Sequence, residues 1–314
     1  MQPVDLVCLC QKNDLKAYLG EELNACAPWI TLKYPDEVAD PETIHHALSF
    51  APGPDDFAPY PNLALVSSVG AGVDAILRAS SLPSTTSVSR VIVPEQAQMI
   101  AAFAIWQIVN RQRQMAGYAQ QQSRREWSVI NRTAPSRFPV GILGFGRIGA
   151  CLAGSLRGLG YPVTAYASRA RTEPDGTRVV TGNTGLDQIA RENLAVVNLL
   201  PLTKDTVGIL NTRFLEQMRE DALLINLGRG AHLVEQDLLS ALALGRPAMA
   251  ALDTFENEPL PADHPFWRHD RVQITPHVAG DADPKTVARF IANGIAAFEA
   301  GQKPAGQVDR EVGY

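Results

Sequence analysis

Short apolar runs rich in β-branched residues recur at residues 6–10, 63–67, 140–143, 163–166, 194–199, 222–226 and 272–275, with longer stretches of helical spacing between them. Strand-length runs alternating with helices predict an α/β fold with parallel sheets. Several runs end in glycine or a polar turn where the next helix would begin, so ligands are expected at the carboxyl ends of strands. A long helix is predicted from Pro94, where proline suits the first turn, through Ala101, Ile105 and Ile108 to about Tyr118. Its wide apolar stripe predicts burial against another domain or subunit. The Ser/Thr-rich stretch 80–89 and the segment 125–137 read as irregular surface chain, and no internal repeat or low-complexity segment stands out.

Composition adds limits to this picture. At 314 residues the chain exceeds what one core usually serves, which predicts two domains with a cleft between them. No apolar run is long enough to cross a bilayer, and the N-terminus lacks the basic segment and apolar core of a signal peptide. A cytoplasmic protein without membrane contact is expected. The four cysteines, Cys8, Cys10, Cys26 and Cys151, lack zinc spacing; they read as reduced thiols packed as small hydrophobes, with no metal. A net charge of −5 argues against a nucleic-acid surface. The one basic cluster, Arg111, Arg113, Arg124 and Arg125, reads as a solvated helix face.

The strongest chemical signal follows the apolar run ending at Leu143. Gly144-Phe145-Gly146-Arg147-Ile148-Gly149 leads into a helical pattern through Leu152, Leu156 and Leu159, giving strand, GxGxxG and helix in order. Gly144 permits the tight turn, Gly146 lets backbone approach a pyrophosphate, and Gly149 allows close helix packing, while the helix N-terminus offers amides to phosphate. About 20 residues on, an NAD site would carry an acid for the ribose hydroxyl. Here the next strand ends in Tyr166-Ala167-Ser168-Arg169-Ala170-Arg171. Guanidinium groups stand where a 2′-phosphate would lie, so NADPH is the expected cofactor, with NADH possible.

Three further motifs carry chemistry. Arg229 stands between Gly228 and Gly230 at the end of an apolar run and offers a planar fork to a carboxylate. Asp253, Glu256 and Glu258 lie in a loop that reaches Pro259, and Thr275-Pro276-His277 ends another run in a histidine. With Val69-Gly70-Ala71-Gly72-Val73-Asp74, Leu200-Pro201-Leu202-Thr203, Thr206-Val207-Gly208 and the tail Gly306-Gln307-Val308-Asp309-Arg310, they cover nearly the whole chain. In this order they resemble the D-isomer-specific 2-hydroxyacid dehydrogenase family, and within it the glyoxylate/hydroxypyruvate reductase A branch.

The resemblance implies two Rossmann-like doubly wound parallel-sheet domains. A cofactor domain (residues 99–282) is inserted into a substrate domain (residues 1–98 and 283–314). It implies reduction of a small 2-keto acid such as glyoxylate or hydroxypyruvate. Arg229 would bind the substrate carboxylate and carbonyl, Glu258 would pair with His277, and His277 would move the proton. Hydride arriving at a keto carbon leaves charge on oxygen, which a cation stabilises and an imidazolium neutralises. A carboxylate beside the imidazole would favour its charged form and fix its tautomer. Leu200, Pro201 and Thr206 would line the cofactor, Asp253 would hold the nicotinamide carboxamide, and the Gly70-Ala71-Gly72 turn would cradle the substrate carboxylate. Phe50 departs from the pattern: it stands where a tryptophan is expected in the most similar members, which alters the substrate pocket.

Other functions fit less well. A non-enzymatic dinucleotide-sensing corepressor shares this fold, but Arg229, Glu258 and His277 favour an enzyme. A formate dehydrogenase would carry glutamine at the position of Glu258, and phosphoglycerate dehydrogenase usually has a regulatory extension. The apolar surface of the helix from Pro94 predicts a homodimer.

Overall fold

The computed structural model describes residues 2–130, 133–171, 173 and 176–311. They form two compact units, one of residues 1–94 with 282–314 and one of residues 95–281. The first begins with β1 (Val4–Leu9), α1 (Leu15–Cys26), β2 (Ile30–Lys33), β3 (His46–Ser49), β4 (Leu65–Ser68), α2 (Asp74–Arg78) and β5 (Ser87–Ser89). The chain then runs through α3 (Pro94–Arg113), α4 (Met115–Arg124), β6 (Val140–Leu143), α5 (Arg147–Gly158), β7 (Val163–Tyr166), β8 (Arg178–Val180), α6 (Gly182–Glu192) and β9 (Ala195–Asn198). It continues with α7 (Thr212–Gln217), β10 (Leu223–Asn226), α8 (Glu235–Ala243), β11 (Met249–Leu252) and β12 (Val272–Ile274), and α9 (Pro284–Glu299) returns to the first unit.

Both sheets are parallel. The first has the order β2-β1-β3-β4-β5 and the second β12-β11-β10-β9-β6-β7-β8. Strands buried on both faces read as continuous apolar runs, which is why Val140–Leu143 and Leu223–Asn226 are buried at every position. In the first unit α1 and α9 cover one face of the sheet through Leu15, Leu19, Leu23, Val287 and Ile291. In the second, α3 and α5 pack Ile100, Ala104, Leu152 and Leu156 against Ile142 and Ile225, while α6, α7 and α8 cover the opposite face. Among the described residues no helix is long and apolar enough to cross a membrane.

The structure corrects several local expectations. The stretch read as a plain loop contains β5, whose Ser87 and Val88 pair with Leu65 and Val66 at the sheet edge. That pairing is tertiary, and nothing in so short a Ser-Val-Ser run announces it. β2, β3, β8 and β11 are likewise short strands recruited by their neighbours. The helix predicted to about Tyr118 breaks at Gln114, which adopts a left-handed φ of 55°. Just before the break, buried Gln112 donates to Thr133 O and accepts from Tyr161 Oη at 2.6 Å, anchoring the end of α3 in the core. Leu159 lies past the end of α5 and is exposed, outside the buried stripe of Leu152 and Leu156. Arg111 is half-buried and donates to Asp221 O at 2.9 Å, so it departs from the solvated face predicted for the basic cluster. Of the segment read as irregular, residues 131–132 lie outside the described residues.

Candidate active site

Every chemistry-bearing segment of the second unit follows the carboxyl end of a strand. In sheet order His277 follows β12, Asp253 β11, Arg229 β10, Leu200 and Pro201 β9, the glycine turn β6, and Ser168 to Arg171 β7. The order in which strands are added reverses between β9 and β6, the crevice where open parallel sheets take ligands.

The glycine turn is built as its residue types require. Gly144 has φ +96°, and a side chain there would meet the Leu199 backbone at 2.8 Å, so this turn sits directly against the turn after β9. A Cβ at Gly149 would stand 2.2 Å from Gly144 O, which only glycine avoids. At Gly146 nothing lies within 4 Å, so the protein itself makes no demand for glycine there; the space fits a ligand group brought against the backbone. Gly146 caps α5, and Arg147 and Ile148 open it, leaving amides of the first turn directed out of the helix start. Arg171 folds back on this turn: its guanidinium lies 4.8 Å from the Phe145 ring centroid, donates to Phe145 O and pairs with Glu173. Ser168 and Arg169 are exposed on the same connection. These features fit an adenine dinucleotide with its pyrophosphate on α5.

Histidine and acid meet at the other end of the sheet. His277 Nδ1 lies 3.1 Å from Glu258 Oε2, while Glu258 Oε1 accepts from Phe255 N at 3.0 Å. Both side chains are partly solvent-accessible. His277 sits in the left-handed region at φ 56°, a conformation that costs a non-glycine residue about 1–3 kcal/mol. Asp253 holds it there. Its carboxylate, 2% exposed, accepts from Thr275 Oγ1 at 2.6 Å, Val278 N at 3.0 Å and Ala279 N at 3.0 Å, bracketing His277 on both sides. This arrangement gives Asp253 a role that spacing could not reveal, since its partners lie across the neighbouring strand.

Arg229 is held by steric and polar constraints. A Cβ at Gly230 would stand 1.8 Å from the Phe255 carbonyl carbon, so the arginine turn lies flat against the loop that leads to Glu258. The guanidinium donates to Gly228 O at 2.8 Å. Beneath it lies a buried cluster of Asn198, Asn226 and His232, none of which stood out as functional in the sequence. The available signal was a polar residue closing two successive apolar runs, Val196-Val197-Asn198 and Leu224-Ile225-Asn226. Thr206 Oγ1 donates to Pro201 O at 2.7 Å and accepts from Thr203 N, closing the turn after β9.

In the first unit, Phe50 and the Gly70 turn are brought together: a Cβ at Gly70 would lie 3.3 Å from the Phe50 ring. Gly70 N donates to Ser68 Oγ at 3.2 Å, and Ser68 Oγ donates to Gly72 O at 3.0 Å, so the turn is held from within. Arg90 approaches Ala71 O at 3.4 Å. Among the described residues no group of three or more His, Cys, Asp or Glu side chains is placed to hold a metal.

Known proteins are similar to this chain in sequence and architecture. A glyoxylate/hydroxypyruvate reductase A from Serratia proteamaculans is 39% identical over 280 residues, 88% of this chain and 89% of that one. A D-isomer specific 2-hydroxyacid dehydrogenase from Xanthobacter autotrophicus Py2, solved with NADPH and MES, superposes with a TM-score of 0.89 at 33% identity, covering 99% of this chain and 100% of that one. An NADPH-dependent glyoxylate/hydroxypyruvate reductase from Sinorhizobium meliloti, solved with NADP and sulfate, gives 0.90 at 28% identity over 99% and 100%. Residues 105–279 match the D-isomer specific 2-hydroxyacid dehydrogenase NAD binding domain, and the chain belongs to that family.

Proposed function

We propose that this dehydrogenase reduces small 2-keto acids such as glyoxylate and hydroxypyruvate with NADPH. The observation that carries the reading is the 3.1 Å contact between His277 and Glu258 beyond the carboxyl ends of the same sheet whose strands lead into Arg229 and the glycine turn. When bound, the reduced nicotinamide supplies hydride to the keto carbon. The first turn of α5 and Gly146 hold the pyrophosphate, and Leu200, Pro201 and Thr206 line the cofactor beside them. Arg169 and Arg171 receive the 2′-phosphate. Arg229 binds the keto acid's carboxylate and carbonyl and stabilises charge as it grows on oxygen. Glu258 occupies His277 Nδ1, leaving Nε2 to pass the proton to that oxygen. Phe50, Gly70, Ala71 and Gly72 are the further substrate-binding residues of this reading, which divides the chain into a substrate domain of residues 1–98 and 283–314 and a cofactor domain of residues 99–282. The exposed Met99, Trp106 and Met115 along α3 and α4 support a homodimer, and four unpaired cysteines suit the reducing cytoplasm.

The test is a panel of glyoxylate, hydroxypyruvate, pyruvate and phenylpyruvate with NADPH and with NADH, followed by nicotinamide absorbance. Reduction of the smaller acids with an NADPH preference of about tenfold to hundredfold is expected from one charge-assisted bond to the 2′-phosphate. Replacing Arg169 and Arg171 by alanine should abolish that preference and leave the NADH reaction unchanged. Equal use of both cofactors by the wild type would refute the reading of the arginines, and full turnover in His277→Ala would refute the proton donor.

A further inference from the structure

His232 is fully buried in the second unit, where the chemistry above does not use it. Its ring is engaged on both sides. Nδ1 lies 3.0 Å from Arg229 N and 2.9 Å from Asn198 Nδ2, and Nε2 lies 3.2 Å from Pro201 O. A backbone N–H can only donate, so Nδ1 is the acceptor and the ring proton sits on Nε2, where it donates to the Pro201 carbonyl. The tautomer is therefore set by groups that cannot exchange roles.

The surrounding amides close the network. Asn198 Nδ2 also donates to Asn226 Oδ1 at 2.8 Å, and Asn198 Oδ1 accepts from Leu200 N at 3.3 Å. Asn226 Oδ1 accepts from Gly228 N at 3.3 Å, and its Nδ2 donates to Arg229 O at 3.2 Å. Arg229 N is thus held by His232, which also holds the turn after β9, and Arg229 O by Asn226, which reaches that turn only through Asn198. The same crowding accounts for Gly228, where a Cβ would stand 2.8 Å from both Asn198 Nδ2 and His232 Nδ1.

We propose that His232 is a positioning residue: in its Nε2-protonated form it ties the backbone of Arg229 to the Leu200–Pro201 turn. One side chain then sets both the group that grips the keto acid and the turn that lines the cofactor. This inference rests on the roles given above to Arg229 and Pro201. A buried network with every member satisfied has one low-energy arrangement, so displacing either arm shifts its own turn first.

Two substitutions separate the arms. His232→Asn places Oδ1 where Nδ1 was, keeping the acceptor for Arg229 N and losing the bond to Pro201. His232→Gln reaches Pro201 through Nε2 and loses the acceptor for Arg229. With a buried partner left unpaired, each lost bond is worth about tenfold in the affected constant. His232→Asn should therefore raise the NADPH constant about tenfold with the glyoxylate KM near wild type, and His232→Gln should do the reverse. Melting temperatures of both variants establish that they are folded. Equal changes in both constants for both variants, or lower melting temperatures with wild-type kinetics, would overturn the proposal and leave His232 a core residue. A wild-type protein that binds NADPH yet reduces no keto acid would overturn the function instead. In that case the NADPH dissociation constants of the two variants, read by nicotinamide fluorescence, still decide the Pro201 arm.

Discussion

Replacing Asp253 by asparagine tests how His277 is kept in place. The carboxylate accepts three hydrogen bonds, two on Oδ1 from Thr275 Oγ1 and Val278 N and one on Oδ2 from Ala279 N. Asparagine retains one acceptor oxygen, but its amide nitrogen then faces an N–H donor, either that of buried Ala279 or that of Val278. One bond to a charged group is lost, at about 1.5–3 kcal/mol, and a buried donor is left unpaired, at about 1–3 kcal/mol. A total of about 2.5–6 kcal/mol lowers the melting temperature of a unit this size by roughly 5–24 °C. The kinetic effect has a separate origin. His277 sits at φ 56°, and release of a strain of about 1–3 kcal/mol once the bracket loosens depopulates the productive pose by roughly 5- to 150-fold. Turnover of glyoxylate with NADPH should fall about 10- to 100-fold, while the NADPH dissociation constant, read by fluorescence, changes far less. Thr275→Ser, which keeps the hydroxyl, should retain wild-type turnover. A folded Asp253→Asn variant with wild-type turnover would refute the bracket as the source of His277's geometry.

Two glycines of the site should respond oppositely to alanine. Gly230→Ala drives a methyl to 1.8 Å from the Phe255 carbonyl carbon and should abolish soluble expression or destabilise by more than about 4 kcal/mol, whereas Gly146→Ala meets nothing within 4 Å and should leave the melting temperature within a few degrees while weakening NADPH binding at least tenfold. Calorimetry and cofactor titration on the pair check this, and equal stability losses would contradict it. His46 is buried, and burial lowers its pKa below the ordinary histidine range even though Glu299 lies 2.8 Å from Nε2. The unfolded chain therefore takes up a proton that the folded chain refuses, so stability is full above about pH 6.5 and falls as pH drops below it. Melting curves from neutral pH to pH 5 should slope less in His46→Gln, and an unchanged slope would remove His46 as the cause. Burial pushes the Cys8 thiol up to about 12, so iodoacetamide should label exposed Cys26 in the native protein and reach Cys8 only after denaturation, as mass spectrometry would read.

The parts of this protein that the sequence determines are those whose cause is local. Val140–Leu143 reads as a strand because burial on both sheet faces makes every position apolar, and Gly144 through Gly149 reads as a turn into α5 because backbone angle and close packing admit only glycine at two of those places. The α/β class follows from repetition of such runs, and the order of motifs identifies the family. Tertiary structure decided the rest. Ser87–Ser89 is a strand only because β4 offers it an edge, and α3 ends at Arg113 because Tyr161 and Thr133 capture Gln112. Asp253 becomes a bracket, and Asn198, Asn226 and His232 a network, only once parallel strands bring together residues 22 to 34 positions apart in the chain. A hydrogen bond's partner depends on strand order, and strand order is a property of the packed sheet that no single run of residues contains.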